Sequence, residues 1–276
     1  MPELPEVETV RRTLLELVKG KTIELVIVHW PKLVKKPDDA RQFQDALKGQ
    51  TILDVGRRGK FLLISLDDYV LVSHLRMEGR YALHKSSDEY DKHTHVLFRF
   101  TDNSELRYRD VRKFGTMHLF KKGQEETELP LSQLGPEPFM DDFSPDYLAG
   151  KLKNTKRFIK TVLLDQRIVV GLGNIYVDES LFRAGIHPER IASELDEMEI
   201  KRLHTEIVTT LLEAVDSGGS TIRSYVNSQG KIGSFQIQLY VYGRKGEPCK
   251  RCGAEIQKKV TGGRGTHYCA SCQKIK

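Results

Sequence analysis

The first six residues, Met1-Pro2-Glu3-Leu4-Pro5-Glu6, place an amine beside a carboxylate at the start of the chain. An initiator Met that precedes a small residue is normally removed, which leaves Pro2 with a secondary amine. An α-amino group has an ordinary pKa of about 7.7–8.0, so part of it is unprotonated near neutral pH. Such an amine can attack a sugar carbon and give an iminium ion, with Glu3 as the adjacent acid or base. These residues predict nucleophilic catalysis at an amino-terminal proline.

The same residues also fit the start of a helix, which is the structural alternative. Pro5 suits the first helical position, and Glu6 and Glu8 suit the positive end of the helix dipole. Apolar residues then recur at helical spacing as far as Gly20; they are Val7, Val10, Leu14 and Leu17. We expect an amphipathic helix that buries one face and holds the catalytic residues in place.

The four cysteines form two Cys-x-x-Cys pairs, Cys249 with Cys252 and Cys269 with Cys272, separated by 16 residues. This spacing matches sites in which four thiolates bind one zinc ion. Four protein ligands leave no open coordination position, so the zinc would be structural and would hold a small hairpin. A disulfide pair is the alternative, and a reducing compartment disfavours it.

Length and composition favour a soluble protein with more than one domain. The chain has 276 residues, of which 39% are hydrophobic, and no apolar run approaches the roughly 18 residues needed to span a bilayer. It has no leader of the secretory kind, and the body of the chain lacks cysteine. We therefore expect a cytoplasmic protein without a disulfide framework.

Basic charge is concentrated at the carboxyl end. The net charge is +6, and residues 231–276 contain ten Lys and Arg but only two acidic residues, Glu247 and Glu255. A second basic run, Lys151–Lys160, has five basic residues and no acidic one. This distribution indicates a polyanionic partner, although a solvated tail and an exposed helix face would have the same composition.

Residues 22–120 predict a β-sandwich or barrel, because short β-rich runs alternate with turn residues. A short helix, Arg41–Leu47, is expected between strands. The principal runs are Ile23–His29, Phe61–Leu66, Tyr69–Leu75, His95–Phe100 and Leu106–Tyr108.

The pattern becomes helical after a proline-rich linker. Ser144-Pro145 marks a helix start, Phe158–Leu164 continues the helical pattern, and Ser193 with Asp196 is expected to open a long helix that ends near Val215. Residues 231–276 return to β-hairpin character around the cysteines.

The chain resembles bacterial formamidopyrimidine-DNA glycosylases, which excise oxidised purines and cut the DNA strand. Three segments carry the resemblance in the family's order: MPELPEVETVRR, the glycine-containing stretch Gly171–Glu179, and the cysteine segment with Gly262–Thr266 at its tip. Ala270 is a departure, since Pro often follows the third cysteine; the zinc ligands are intact.

The resemblance implies an α+β fold in four parts. These are a catalytic β-sandwich domain with an amino-terminal helix (1–130), a linker (131–144), a helix–two-turns–helix domain (145–230) and a carboxy-terminal zinc finger (231–276). A lesion-recognition loop is expected at 217–235. The Gly171–Glu179 stretch belongs to the helix–two-turns–helix signature; it lacks the full GxGxxG spacing of a dinucleotide fold.

The resemblance also assigns the catalytic roles. Pro2 would be the nucleophile, Glu3 would move protons at the sugar, and Lys60 would contact the phosphate and sugar beside the lesion. Arg264 would contact a DNA phosphate and assist the second elimination. Taken alone, Lys60 fits a solvated strand start and Arg264 fits an ordinary hairpin turn.

Three further residues would enter the duplex by resemblance, with Arg112 facing the orphaned cytosine and Met77 and Phe114 as apolar wedges. Taken alone, Met77 is a core residue and Phe114 a strand residue. Additional DNA contacts are expected at His93, Lys156, Asn174 and Tyr242, and lesion recognition at Glu78, Ser220 and Ser224.

The function implied is a bifunctional DNA glycosylase and AP lyase of base excision repair, active as a monomer on damaged duplex DNA without a small-molecule cofactor. One rival is the sister glycosylase that prefers oxidised pyrimidines and commonly starts MPEGPE. Leu4, together with Met77, Arg112 and Phe114, favours the purine-directed branch instead. Another is a zinc-ribbon DNA-binding protein without catalysis, which would need neither Pro2, Glu3 nor Lys60.

Overall fold

The computed structural model describes residues 1–220 and 239–275. Within these residues the chain divides into two units, one of residues 1–133 with 218–220 and the other of residues 134–217 with 239–275. Each unit has an apolar core of its own. The expected α+β fold is confirmed. No helix in the described ranges is long and apolar enough to cross a membrane.

The first unit begins with helix α1, Leu4–Val18, which confirms the amphipathic pattern. Val7, Val10 and Leu14 are at most 1% exposed and belong to the core of the unit, and Leu17 packs against that core. Because one face of α1 is buried, the residues at its amino-terminal end are anchored.

Nine strands of the first unit form two sheets that share this core. The first sheet has the order β1-β7-β8-β6, and all of its pairs are antiparallel. Its strands are β1 (Ile23–Val28), β6 (Arg80–Lys85), β7 (Thr94–Phe100) and β8 (Ser104–Arg109).

The second sheet has the order β2-β9-β5-β4-β3, with one parallel pair between β2 and β9. Its strands are β2 (Val34–Lys36), β3 (Asp54–Arg58), β4 (Phe61–Ser65), β5 (Tyr69–His74) and β9 (Thr116–Lys121). Burial alternates along β4, where Leu62 and Ile64 face the core. Helix α2, Ala40–Leu47, buries Phe43 and Leu47 against the same core.

Four of these strands lie outside the runs named from the sequence: β2, β3, β6 and β9. Strand β2 has three residues, and β3 carries a charged residue at each end, so neither has a clear apolar alternation. Strand β9 does alternate, with buried Met117 and Leu119, and was detectable.

The second unit is helical before its terminal hairpin. Its elements are α3 (Pro145–Leu152), α4 (Ile159–Leu163), α5 (Asn174–Ala184), α6 (Glu197–Asp216), β10 (Gln257–Thr261) and β11 (Arg264–Tyr268). Ser144 caps α3, as expected, because its Oγ accepts a hydrogen bond from Tyr147 N at 3.1 Å.

The start of α6 differs from the expectation that Ser193 would open it. Ser193 lies in a short 3-10 turn, and the cap is formed by Asp196, whose Oδ1 accepts from Glu199 N at 2.8 Å. Asp196 N donates in return to Glu199 Oε2 at 3.1 Å. A reciprocal Asp–Glu pair satisfies two backbone N–H groups of the first turn, which explains the choice.

The four-part division at residues 130, 144 and 230 stays a prediction. Most of the expected loop 217–235, including Ser224, lies outside the described residues.

Candidate functional site

Pro2 and Glu3 are buried at the start of α1, and Glu3 is 2% exposed. Glu3 N donates to Glu6 Oε2 at 2.8 Å. The other oxygen of Glu6 accepts from Ser220 N at 2.6 Å and from Ser220 Oγ at 3.1 Å. Glu6 therefore joins the amino-terminal pair to Ser220, a predicted lesion-recognition residue. The sequence assigned Glu6 only to a favourable interaction with the helix dipole.

Lys60 is 5% exposed in the tight turn between β3 and β4. Strand β3 is tied to α1 through Glu8, whose carboxylate accepts from Arg57 Nε at 3.2 Å and from Arg11 NH2 at 2.8 Å. Burial favours a higher pKa of Glu8, but the hydrogen bonds and charges of these arginines outweigh it and lower the pKa. Glu8 thus fixes the helix that carries Pro2 onto the strand that leads to Lys60.

His74, at the end of β5, lies close to this turn and lacks any assignment from the sequence. It pairs with Phe61 across the strands, with ring centroids 4.6 Å apart, and its Nδ1 accepts from Arg76 N at 2.9 Å. Burial and the positive charges of Arg76 and Lys60 lower its pKa to about 3. A neutral His74 ring thus supports the turn that carries Met77 and Glu78.

Asp110 organises the turn that carries Arg112 and Phe114. Its side chain is fully buried and accepts backbone hydrogen bonds from Arg112 at 3.1 Å, Phe114 at 2.9 Å and Gly115 at 2.8 Å. Arg112 and Phe114 are exposed, and the guanidinium lies 4.7 Å from the centre of the Phe114 ring. An apolar and a cationic side chain are therefore held outward by a buried carboxylate, which suits insertion between bases.

Tyr108 lies beneath both projecting turns. A Cβ added to Gly79 would fall 2.2 Å from Tyr108 Oη, and one added to Gly115 would fall 1.7 Å from it. Only glycine lets both turns approach this hydroxyl so closely. His93 is half-buried next to the second turn, where its carbonyl accepts from Asp110 N at 3.0 Å.

In the second unit, Asn174 is the first residue of α5 and its Nδ2 donates to Gly265 O at 2.8 Å. The same amide nitrogen lies 3.5 Å from Tyr242 Oη. Gly265 follows the exposed Arg264 at the start of β11. Three of the predicted DNA contacts, Asn174, Tyr242 and Arg264, are therefore grouped; Lys156 lies in the exposed segment between α3 and α4.

Glu179 on α5 holds the chain that leads to the hairpin. Its buried carboxylate accepts from the backbone N–H of Tyr240 at 2.8 Å, Val241 at 2.9 Å and Tyr242 at 2.8 Å. Burial raises its pKa above the ordinary value, against the effect of these three hydrogen bonds. The sequence could not identify this role, because a Glu inside a helix is ordinarily a solvated residue.

The four cysteines converge, and their Sγ atoms all lie within 4.8 Å of one another. Tetrahedral zinc with Zn–S bonds of about 2.3 Å places its sulfurs about 3.8 Å apart. The distance between Sγ atoms is 3.9 Å for Cys249 and Cys272 and 3.5 Å for Cys252 and Cys269. The donor set therefore fits one structural zinc ion, as predicted.

Three models of known families match most of the chain. Residues 1–117 match the formamidopyrimidine-DNA glycosylase N-terminal domain, residues 134–226 match the H2TH domain of the same glycosylases, and residues 246–275 match the zinc finger found in FPG and IleRS. The chain belongs to the formamidopyrimidine-DNA glycosylase family. The predicted family is thereby confirmed.

Relatives in this glycosylase family match over their full length. The formamidopyrimidine-DNA glycosylase of Bacillus licheniformis is 67% identical over 99% of this chain and 100% of its own, and that of Bacillus subtilis is 63% identical over 100% of both. Among solved structures, a point mutant of the Lactococcus lactis glycosylase bound to Fapy-dG DNA is 44% identical, with a TM-score of 0.94, over 99% of this chain and 100% of its own. The Lactococcus lactis glycosylase with abasic-site DNA gives a TM-score of 0.93 with the same identity and coverage.

Proposed function

We propose that this chain is a bifunctional DNA glycosylase and AP lyase of base excision repair that excises oxidised purines from duplex DNA and then cuts the strand. Membership of the glycosylase family supports the activity. The observation that carries the catalytic assignment is the burial of Pro2 and Glu3 at the start of α1. Chain ends are ordinarily poorly ordered, so an anchored terminal proline fits a nucleophile.

The reaction begins after Met1 is removed. The nitrogen of Pro2 forms a bond to C1′ of the damaged nucleotide while the bond from C1′ to the base breaks and the base leaves with a proton. Glu3 moves protons at the sugar, and opening of the ring gives an iminium ion between Pro2 and C1′. The iminium ion makes the C2′ proton acidic, so the 3′ phosphate and then the 5′ phosphate leave by elimination.

The remaining residues bind and orient the substrate. Lys60 places its positive charge beside the phosphate and sugar of the lesion, and Arg264 contacts a phosphate and assists the second elimination. The gap that the extruded base leaves in the duplex is filled by Met77, Arg112 and Phe114. Further contacts to DNA are made by His93, Lys156, Asn174 and Tyr242. Glu78, Ser220 and Ser224 recognise the extruded base. The zinc ion holds the hairpin that carries Arg264 and takes no part in the chemistry.

We also propose an oligomeric state, a cellular location and a domain division for the enzyme. The enzyme acts as a monomer on nucleoid DNA in the bacterial cytoplasm and uses no small-molecule cofactor. Its catalytic β-sandwich domain spans residues 1–130, the linker 131–144, the helix–two-turns–helix domain 145–230 with its recognition loop at 217–235, and the zinc finger 231–276.

Borohydride trapping tests the nucleophile. On a duplex that contains 8-oxoguanine opposite cytosine, reduction should join the protein covalently to DNA through Pro2, as mapped by mass spectrometry of the linked peptide. Pro2→Gly should diminish trapping, whereas Pro5→Ala, which changes a proline of the same segment without changing the terminal amine, should trap normally. An adduct mapped to Lys60 would refute the assignment.

A further inference from the structure

Lys113 stands between Arg112 and Phe114 and has a left-handed backbone, with φ of +59°. A residue with a Cβ adopts this conformation at a cost in free energy, so the surrounding contacts must hold it there. The buried carboxylate of Asp110 binds the backbone N–H of both neighbours of Lys113. Lys113 N itself donates to Asp110 O at 3.3 Å.

The side chain of Lys113 contacts Trp30. Its Nζ lies 4.0 Å from the centre of the indole ring, well within the roughly 6 Å of a cation–π contact. Trp30 is half-buried and packs against the core of the first unit. The exposed side chain of Lys113 thus contacts an aromatic ring that is half-buried in the first unit.

His95 provides a second link between the ring and the turn. Its carbonyl accepts from Trp30 N at 3.4 Å, and its ring Nε2 donates to Asp110 O at 2.7 Å. Trp30, His95 and Asp110 therefore form one support beneath the turn. Within the turn, Lys113 is the residue whose side chain contacts Trp30.

We propose that Trp30 and Lys113 form a clamp that positions Arg112 and Phe114 for insertion into the duplex. This inference rests on the proposed function, because insertion is a step of that reaction. The left-handed backbone at Lys113 sends the side chains on either side of it outward, and the cation–π contact stabilises that backbone. Lys113 and Trp30 are positioning residues, and neither needs to touch the substrate.

The ring offers a matched control. Lys32 Nζ also lies over Trp30, at 5.8 Å, but Lys32 belongs to the segment directly after Trp30 and not to the projecting turn. Lys32→Met therefore removes the same charge from the same ring and leaves the turn intact. Lys113→Met removes the cation of the clamp and keeps a side chain of similar length.

The decisive measurement compares single-turnover excision of 8-oxoguanine opposite cytosine with cleavage at an abasic site. An exposed cation–π contact corresponds to about a two- to fivefold change in an equilibrium. Lys113→Met and Trp30→Leu should each lower excision about two- to fivefold relative to abasic-site cleavage, and the double variant should be no worse than either. Lys113→Arg and Lys32→Met should both keep the wild-type ratio of excision to abasic-site cleavage. Independent, multiplying effects would overturn the clamp.

A phosphate contact by Lys113 is the competing explanation, and the salt dependence of DNA binding distinguishes it. Removal of one phosphate contact lowers the slope of log affinity against log salt by about one unit. The clamp predicts the wild-type slope for Lys113→Met; a slope smaller by one unit would assign Lys113 to phosphate binding instead.

Fluorescence of the free protein tests the clamp without relying on the proposed function. Trp30 is the single tryptophan of the chain, so indole emission reports on this ring alone. Lys113→Gly should increase quenching of that emission by acrylamide more than Lys32→Gly does, because the nearer side chain covers the ring. Equal quenching in Lys113→Gly and Lys32→Gly would reject the clamp, even if the wild type excises the base normally. If the wild type does not excise the base but the quenching is as expected, the proposed function alone is rejected.

Discussion

Lys160 and Asp178 form an ion pair with 2.7 Å between Nζ and Oδ1, and both side chains are fully buried. Lys160 Nζ also donates to Gly265 O at 3.1 Å, and the other oxygen of Asp178 accepts from His267 N at 2.8 Å. Helices α4 and α5 are thereby joined to β11, the strand that starts with Arg264. The hairpin is therefore positioned by this buried ion pair as well as by the four-cysteine zinc site.

Removal of one partner of this pair should destabilise the second unit. Lys160→Met leaves the Asp178 carboxylate buried without its cation, and breaking a buried ion pair in this way costs about 3–5 kcal/mol. Denaturant unfolding of the zinc-loaded protein measures the loss. Lys201→Met, which breaks the exposed pair with Glu197, is the control and should leave the midpoint unchanged. Equal midpoints for both variants would show that the buried pair does not hold the unit together.

Loss of one thiolate should release the zinc. Cys269 is fully buried, so Cys269→Ser should lose the ion and weaken DNA binding while the first unit stays folded. Zinc content by atomic emission and the retained β-sheet circular dichroism measure the two effects. Ser271→Ala, a change beside the ligands, should retain one zinc per chain. Stoichiometric zinc with normal DNA binding in Cys269→Ser would contradict a structural four-cysteine site.

Arg112 should determine the preference for the opposite base. A good bidentate contact to a base contributes about 1–3 kcal/mol of discrimination, so Arg112→Ala should narrow the difference in excision between cytosine and adenine partners by about that amount. Arg112→Lys keeps the charge without the planar fork and should lose discrimination with a smaller loss of affinity. The measurement is single-turnover excision at one stated salt concentration. An unchanged preference in Arg112→Ala would remove Arg112 from the recognition of the orphaned base.

Phe114 should matter more for base extrusion than for strand cleavage. Its ring is 51% exposed and is proposed to separate neighbouring bases, a step that costs a few kcal/mol. Phe114→Ala should therefore slow excision from a paired duplex more than cleavage at an abasic site, where no base must be extruded. Phe114→Leu keeps an apolar wedge and should be intermediate. Equal losses in both reactions would assign Phe114 a general structural role.

His74 should make the first unit sensitive to acid. Its pKa is about 3 in the folded protein, below the ordinary value of 6.5, so the unfolded chain binds the proton first as the pH falls. The stability from a neutral His74 is complete above pH 6.5 and is lost progressively between pH 6.5 and about 3. At about 1.4 kcal/mol per pH unit, the loss between pH 6.5 and 5 is about 2 kcal/mol.

The His74→Asn variant isolates this contribution. Asn Oδ1 can accept from Arg76 N without titrating, so the variant should lose less stability than the wild type over pH 6.5–5. His29→Asn, at an exposed histidine, should follow the wild-type curve. His118, whose pKa is lowered to about 4 by burial and by the charges of nearby lysines, titrates in both proteins, so the difference between the two curves reports on His74. Parallel curves for wild type and His74→Asn would reject a buried neutral ring.

The sequence by itself determined the elements with a clear apolar periodicity and the site whose ligands have a characteristic spacing. The apolar spacing of Val7, Val10 and Leu14 predicted α1, and the two Cys-x-x-Cys pairs predicted the zinc site, because four thiolates at that spacing have few other arrangements. The family was also evident from segments at both ends of the chain.

Only the tertiary structure decided how charged residues in ordinary-looking positions are used. Asp178 and Glu179 are buried carboxylates whose partners, a lysine and backbone N–H groups, are contributed by other segments of the chain, whereas the buried Asp110 binds the N–H groups of the turn that follows it. A sequence records the type and position of such a residue but not the partners that folding brings to it. The desolvation of a buried charge must be offset by those partners, so its role exists only once the distant segments are packed together.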